Sequence, residues 1–436
     1  MRAREVLLLI FIILVGTLAY VIHTGEISFD GDWEVGVIGA GRSWSYEESM
    51  IVEAPVPALV EVINSHGAVD IRGVDRADIS LRLRKKIWRR TEKEALEIAG
   101  KLKAEIDRKG DRIVISINRD EFKKRNFETS FVLEVPRQTA VEIENSYGKV
   151  TAVNLVSGKI GNRHGRVDVS DIDGSLSVDG SYEDIDIVRV GAGCAVVSRH
   201  ADVSVMGVAG RLTIDHSYGK VTAEDAAAGA DIIGSHSAVV CRNIKGPVDV
   251  RTSYEKVALT DVGPAVVRGH HAPVTAERVD GDLKVSTSYE KVKALDVRGN
   301  LDVEGKSVGV YGRGISGREI RVATSYEDLD LGEFTGRASI SLAHGDARLA
   351  PSSADVPIEI RNTYSTIRFA WPAGDRGPFE ARSRGGEIKW GLAVPPSLNT
   401  TNGEAVVKAF EDRAARPAVT IQTTHGDIIV EENPVR

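Results

Sequence analysis

The sequence predicts an all-β protein: a single-chain parallel β-solenoid, or β-helix, of about 18-residue two-strand units, with one inserted amphipathic helix near the N-terminus. Three observations predict it. "TSYEKVALTDV" (Thr252 to Val262) returns thirty-five residues later as "TSYEKVKALDV" (Thr287 to Val297). An aromatic series runs Tyr147, His164, Tyr182, His200, Tyr218, His236, Tyr254, His271, Tyr289, Tyr326, His344, Tyr364, at spacings of 17 to 20 residues once Ser307 is counted where a histidine is due. Around each member, apolar residues fall at +3, +5, +8, +12 and +14 with glycine usually at +10, as in Val167, Val169, Ile172, Gly174, Leu176 and Val178 after His164. Each unit therefore holds two short period-two strands separated by a glycine turn. No unit can bury its own apolar row, so units stack and equivalent strands pair in parallel. Scarce aromatics and 43 glycines suit such a chain.

The first segment, residues 1–24, reads as a membrane anchor or signal segment. Arg2 and Arg4 precede an uncharged apolar run from Val6 to Val21, and acidic residues follow, which orients the amino end inside and the rest outside. Thr17-Leu18-Ala19 is a poor cleavage site, so an uncleaved anchor is expected over a removed signal, which would leave the chain secreted. No cysteine follows the run, which excludes a lipoprotein anchor.

Residues 25–140 form an N-terminal β cap. It opens on a degenerate coil, "VPALVEVINSHGAVDIRGV", and continues into "TEKEALEIAGKLKAEIDRK" (91–109), expected as a helix. Thr91 can cap it, Glu94 occupies the capping-box position, and Ala95, Ile98, Leu102 and Ile106 make an apolar stripe. Its expected task is to cover the open first end of the solenoid, where unpaired strand edges invite aggregation. Residues 141–436 are the solenoid repeats with an irregular C-terminal cap, where Trp371, Pro372, Pro395 and Pro396 interrupt the pattern before "TTHGDIIVEE" returns to it.

The coil can be one 18-residue unit or a 36-residue pair. The longer coil separates tyrosines and histidines into two columns, the shorter interleaves them, and the strict alternation favours the longer. Parity along the strand points Tyr254 and His271 inward, ring stacked on ring.

"VEVINSHGAVDI", "VEIENSYGKVTA", "IRNTYSTIRF" and "IQTTHGDIIV", with the early strand, helix, strand insertion, resemble the bacterial putative-adhesin family of β-strand-repeat proteins, a domain of unknown function. The resemblance covers roughly residues 50–436. It implies an envelope-exposed β-solenoid, adhesion by analogy, and no agreed ligand or catalytic residues.

Chemistry is sparse in the sequence. A formal charge of -7 over 436 residues gives no reason to expect nucleic acid as a partner. A histidine column (His164, His200, His236, His271) strings imidazoles along an axis where metal sites converge three or four ligands, so no metal or other cofactor is expected. Buried, such a column would loosen in acid below about pH 6. Cys194 and Cys241 fall on inward positions of different columns and read as small buried hydrophobes without a disulfide. The carboxylates of "DIDG" (Asp171 to Gly174), "YEDIDI" (Tyr182 to Ile187) and "YEDLDL" (Tyr326 to Leu331) read as a solvated outward row, as do Glu255, Glu290 and Glu327. No nucleophile elbow, Walker loop, H-E-x-x-H or calcium-binding glycine repeat occurs, and no catalytic residue is assigned. The basic cluster "RKKIWRR" offers Lys85, Lys86, Trp88, Arg89 and Arg90 as a surface contact for anionic lipid or polysaccharide, against the plainer reading of an amphipathic edge strand.

The expected protein is thus a membrane-anchored, extracytoplasmic β-solenoid, periplasmic or at the cell surface. It serves as a non-catalytic binding, adhesion or scaffolding surface toward a cell-envelope polymer or protein partner. Two alternatives stand beside it. One is a carbohydrate-active enzyme, a polysaccharide lyase or hydrolase on a β-helix scaffold, which requires two close carboxylates in a cleft. The other is an envelope-stress sensor acting through a membrane partner.

Overall fold

The computed structural model describes residues 42–122, 126–373, 377–401, 403–411 and 419–433. The apolar run Val6 to Val21 lies outside them, and among the described residues no helix is long and apolar enough to cross a membrane.

Every regular unit contributes one strand to each of two facing parallel stacks. Strand Ser157–His164 pairs with Leu176–Ser181 in the first stack, Gly158 opposite Leu176, and Val167–Ile172 pairs with Ile185–Val190 in the second, Val167 opposite Ile185. Both registers advance by eighteen residues, and they do so again at Leu283 opposite Leu301. The coil is therefore one 18-residue unit, which corrects the expected 36-residue coil. Inward rows of valine, isoleucine and leucine from the two stacks merge into one continuous core, including Val178, Ile187, Val190, Val250 and Leu259. β-Branched side chains suit these strands because their stiff χ1 packs well on a pleated surface.

The turn after most second strands contains a glycine because rungs meet backbone to backbone there. A Cβ on Gly299 would lie 2.3 Å from the carbonyl carbon of Gly281 in the neighbouring rung. The second strands carry a further device, a residue in left-handed conformation between their last two inward side chains. Asp171 (φ 59°), Arg189 (φ 59°), Asp225 (φ 57°), Asp261 (φ 54°) and Asp296 (φ 53°) stack in this column. The left-handed step absorbs one residue, so that apolar positions +5 and +8 both face the core despite their odd separation.

Both ends of the solenoid are closed by the same topological move. Near the start, Leu59–Ile63 lies between two later strands, Arg112–Ile117 and Ala140–Tyr147, while Val69–Val74 lies between Phe127–Pro136 and Val150–Leu155. Outside that inserted rung the ladder turns antiparallel: Ala104–Lys109 pairs on Arg112–Ile117, Ile79–Trp88 on Phe127–Pro136, and Ser43–Val52 on Ile79–Trp88. At the other end, Val419–Thr423 and Ile428–Glu432, last in sequence, insert beneath Phe379–Arg384 and Ile388–Trp390. Antiparallel Glu404–Ala409 and Ser397–Thr401 follow. Trp371, buried against Phe369, Phe379 and Phe410, plugs this end of the core. The ladder is continuous across residue 140, so the N-terminal cap and the repeats share one core.

The helix is shorter than expected. It spans Glu92–Lys101, with Thr91 capping the Glu94 amide, and Ala104–Lys109 is a strand because it hairpins through Gly110 (φ 62°) onto Arg112–Ile117. Ala95, Ala99 and Leu102 bury against Ile87 and Phe127. The helix thus packs on the face of the antiparallel extension, whose outermost strands carry the solenoid's first edges. Beneath it, Lys85 is 3 % exposed and donates to Glu48 (2.6 Å) and to the Ala99 carbonyl (2.9 Å). Hydrogen bonds from Lys103 and Lys85 hold the Glu48 carboxyl below its ordinary value.

Gly299→Ala should lower the urea midpoint at a cost of about 1–3 kcal/mol, the usual penalty for overpacking; a parental midpoint would mean the turn has room for a methyl group. Because the folded-state pKa of Glu48 is depressed, its contribution is present above the ordinary glutamate range and lost as pH falls through the folded-state value. Glu48→Gln should therefore lower the thermal midpoint at pH ~7 and much less at pH ~3; an equal deficit at both would contradict the linkage.

Candidate functional site

An exposed column of stacked rings runs along one corner of the solenoid. In rung order it reads His66, Tyr147, His164, Tyr182, His200, Tyr218, His236, Tyr254, His271 and Tyr289; after Ser307 it resumes with Tyr326, His344, Tyr364 and His425. Centroids of successive rings are 4.5–5.7 Å apart, and planes lie within 6–18° except for 28° between His66 and Tyr147. Ring stacking is therefore present, as expected, but in a single mixed column. Its orientation also differs from expectation: the tyrosines are 47–61 % exposed. The residue two before each ring is inward, yet from Tyr182 to Tyr326 the ring residue itself takes a left-handed conformation, as at Tyr254 (φ 65°) and His271 (φ 53°), which swings its side chain out of the core. In the rungs of Tyr147 and His344 the following glycine takes that step instead (Gly148 φ 114°, Gly345 φ 97°).

The 36-residue identity repeat arises inside the corner. In histidine rungs the residue after the ring turns inward and is buried (Ala201, Ser237, Ala272), and the position two before the ring is small to admit it. A Cβ on Gly269 would stand 2.8 Å from the Ala272 Cβ. In the next, tyrosine rung that inner position carries a donor aimed at the carbonyl of the turned-in residue. Thr252 Oγ1 donates to Ser237 O (2.8 Å), Thr287 Oγ1 to Ala272 O (2.9 Å) and Thr324 Oγ1 to Val308 O (2.8 Å). His216 fills the same role, Nε2 to Ala201 O at 2.6 Å; a carbonyl can only accept, so Nε2 carries the proton. Its Nδ1 meets the Ser237 hydroxyl at 2.8 Å. Two alternating corner designs thus share one coil length. Toward the ends an asparagine replaces this pair: Asn145 Nδ2 bridges Gly148 O and Gly67 O, and Asn162 Nδ2 bridges Gly165 O and Gly148 O.

The exposed column overturns the expectation of acid loosening through buried imidazoles. Tyrosine rings separate successive histidines, and among the described residues no three His, Cys, Asp or Glu side chains gather as a metal cluster. Outward carboxylates pair between rungs instead of converging. Asp171 takes a two-pronged contact from Arg189 (2.5 and 2.9 Å) and Asp261 one from Arg278 (2.6 and 2.8 Å). Asp186 pairs with Arg166, and Asp330 with Arg313 at 2.8 Å. Hydrogen bonding from the guanidinium, ahead of its charge, holds the Asp171 and Asp261 carboxyls low. Glu255 and Glu327 are exposed and Glu290 half-buried.

The basic cluster is taken apart by its neighbours. Lys85 is buried, which removes it from any surface contact; Arg84 pairs with Glu47, and the Lys86 ammonium sits 5.3 Å from the centre of the half-buried Trp88 ring. Arg89 donates to the carbonyls of Trp88 and Asn126. Arg90 is exposed. Cys194 and Cys241 are buried free thiols, one in each stack, and burial pushes both up to about 12, which leaves them unreactive.

Two parts of this site escape the sequence series. His66 and His425 extend the column at its ends, and their signal is the match of "NSHG" and "TTHG" to "NSYG". The left-handed column of the second strands is encoded by the odd step between apolar +5 and +8.

No family model matches the chain, and no curated protein matches it. Among solved structures it is similar to a putative cell adhesion protein from Clostridium sporogenes, at 8% identity, with 89% of this chain and 100% of that chain covered. The TM-score of that likeness is 0.16, too low to carry an argument.

Thr287→Val keeps the shape of the corner and removes its bond to Ala272 O. The expected loss is about 1 kcal/mol in denaturant unfolding, restored by Thr287→Ser; an unchanged stability for Thr287→Val would show that this bond does not hold the alternating corner.

Proposed function

We propose that the chain is a membrane-anchored, extracytoplasmic β-solenoid that acts as a binding, adhesion or scaffolding surface and performs no reaction of its own. The observation that carries this reading is the ring column. Aromatic rings, tyrosine alternating with histidine, are held at the fixed rung spacing, about 4.8 Å, along a rigid body. Such an array makes many weak, equivalent contacts with a partner that is itself repetitive, such as an envelope polymer, and linked contacts gain about 10²–10⁴ in avidity. The rung-to-rung pairing of aspartates and arginines supports the non-catalytic part, because these carboxylates neutralise neighbours and stand in a row. The anchor rests on Arg2, Arg4 and the apolar run Val6 to Val21, which would place the solenoid outside the membrane.

Co-sedimentation of the full-length chain with isolated envelope polymer tests the reading. Retention should weaken stepwise as Tyr182, Tyr218 and Tyr254 are changed singly, in pairs and together to alanine. Loss of all binding from one of these changes, or no retention of the parent chain on any envelope fraction, would contradict a distributed surface.

A further inference from the structure

The ring column is interrupted once, at Ser307, and the interruption preserves the corner around it. Ser307 keeps the left-handed backbone of a histidine rung (φ 55°, against 53° at His271). Val308 turns inward and is fully buried, and Gly305 makes room for it, a Cβ there falling 2.7 Å from Val308 Cγ2. The Tyr289 amide donates to Lys306 O (2.9 Å), so the rung stacks in register with the one below. Only the ring is replaced by a hydroxymethyl group.

The consequence is a slot between two tyrosine faces. Tyr289 and Tyr326 belong to rungs two apart, about 9.6 Å at the usual strand spacing. The same two-rung interval elsewhere holds an imidazole: His271 lies 5.5 Å from Tyr254 and 5.0 Å from Tyr289. Tyr289 stacks on His271 and Tyr326 on His344, and among the described residues neither has a stacked ring or a cation over the face toward Ser307. Tyr326, at 61 %, is the most exposed tyrosine of the column.

We propose that this slot binds one planar nitrogen heterocycle of imidazole size, inserted face to face between Tyr289 and Tyr326. Phenol faces are electron-rich, so they favour a cationic or electron-poor ring over a neutral hydrocarbon one. Glu290 and Glu327 follow the two tyrosines in the chain and add negative charge, while Lys306 precedes the serine. The ring can come from a free small molecule or from a histidine side chain of a partner protein. The inference concerns one rung and holds whatever the rest of the column binds.

The test is a titration of the full-length chain, with ring-labelled tyrosine read by NMR and assigned through Tyr289→Phe and Tyr326→Phe. Imidazole and N-acetyl-histidine methylamide are the two probes. Imidazole should shift Tyr289 and Tyr326 several-fold more than Tyr182 and Tyr218, saturating in the millimolar range, and Ser307→His should abolish the response by filling the slot. A response to both probes assigns the slot to side chains as well as small molecules; a response to imidazole alone assigns it to small molecules. Piperidine, a cation without a π system, should not reproduce the shifts. Equal shifts at all four tyrosines, an equal effect of piperidine, or an undiminished response in folded Ser307→His would overturn the proposal.

Discussion

The in-register parallel backbone ladder is the constraint on which the rest of this molecule depends. Once each strand pairs with its copy eighteen residues on, every side chain must lie directly over its counterpart. Apolar counterparts then merge into a core, opposite charges neutralise between rungs, and planar rings stack at a spacing close to their own contact distance. Each ring pair is worth about 0.5–1.5 kcal/mol beyond its buried area, and these exposed ones belong toward the lower figure. The column is thus a product of the ladder more than its cause.

The ladder also sets how charged groups are arranged along the solenoid. Catalytic and metal-binding groups must converge from different parts of a chain on one point, whereas stacking spreads like groups along a line. Asp171 and Arg189, or Glu48 beneath the helix with Lys85 and Lys103, neutralise one another locally. The proposed binding surface rests on this linear spread of like groups, and the proposed slot on the one missing ring of the column, at Ser307. The ends meet a different demand. A parallel stack leaves open edges, and here each end is finished by antiparallel strands wrapped outside a rung borrowed from elsewhere in the sequence.

The unit length, the two strands per unit and the inward apolar positions were legible because burial imposes period two on them and glycine marks the turn. The coil length was misread because identity repeats every second rung: Gly269 with Ala272, then Thr287, make two corner designs that look like two halves of one coil. Orientation of the tyrosines failed for a backbone reason. Parity counting assumes extended residues, and a single left-handed residue at the corner reverses the direction of the ring. The helix was over-extended because Ala104 and Ile106 fit both a helical stripe and an alternating strand, and pairing with Arg112–Ile117 decides for the strand. Lys85 was placed on the surface by its charge, although its position in the strand puts it between the core residues Leu83 and Ile87.

Engineered disulfides measure the ladder directly. Ser177, Ala195 and Thr213 are exposed counterparts in three successive first-stack strands. Adjacent 18-residue coils bring Ser177 and Ala195 within the 4.4–6.8 Å Cα separation a disulfide accepts, whereas Ser177 and Thr213 stand about 9.6 Å apart. With Cys194 and Cys241 replaced by alanine, the account predicts rapid cross-linking of Ser177→Cys/Ala195→Cys and none of Ser177→Cys/Thr213→Cys. The reverse result would mean a 36-residue coil and would contradict it.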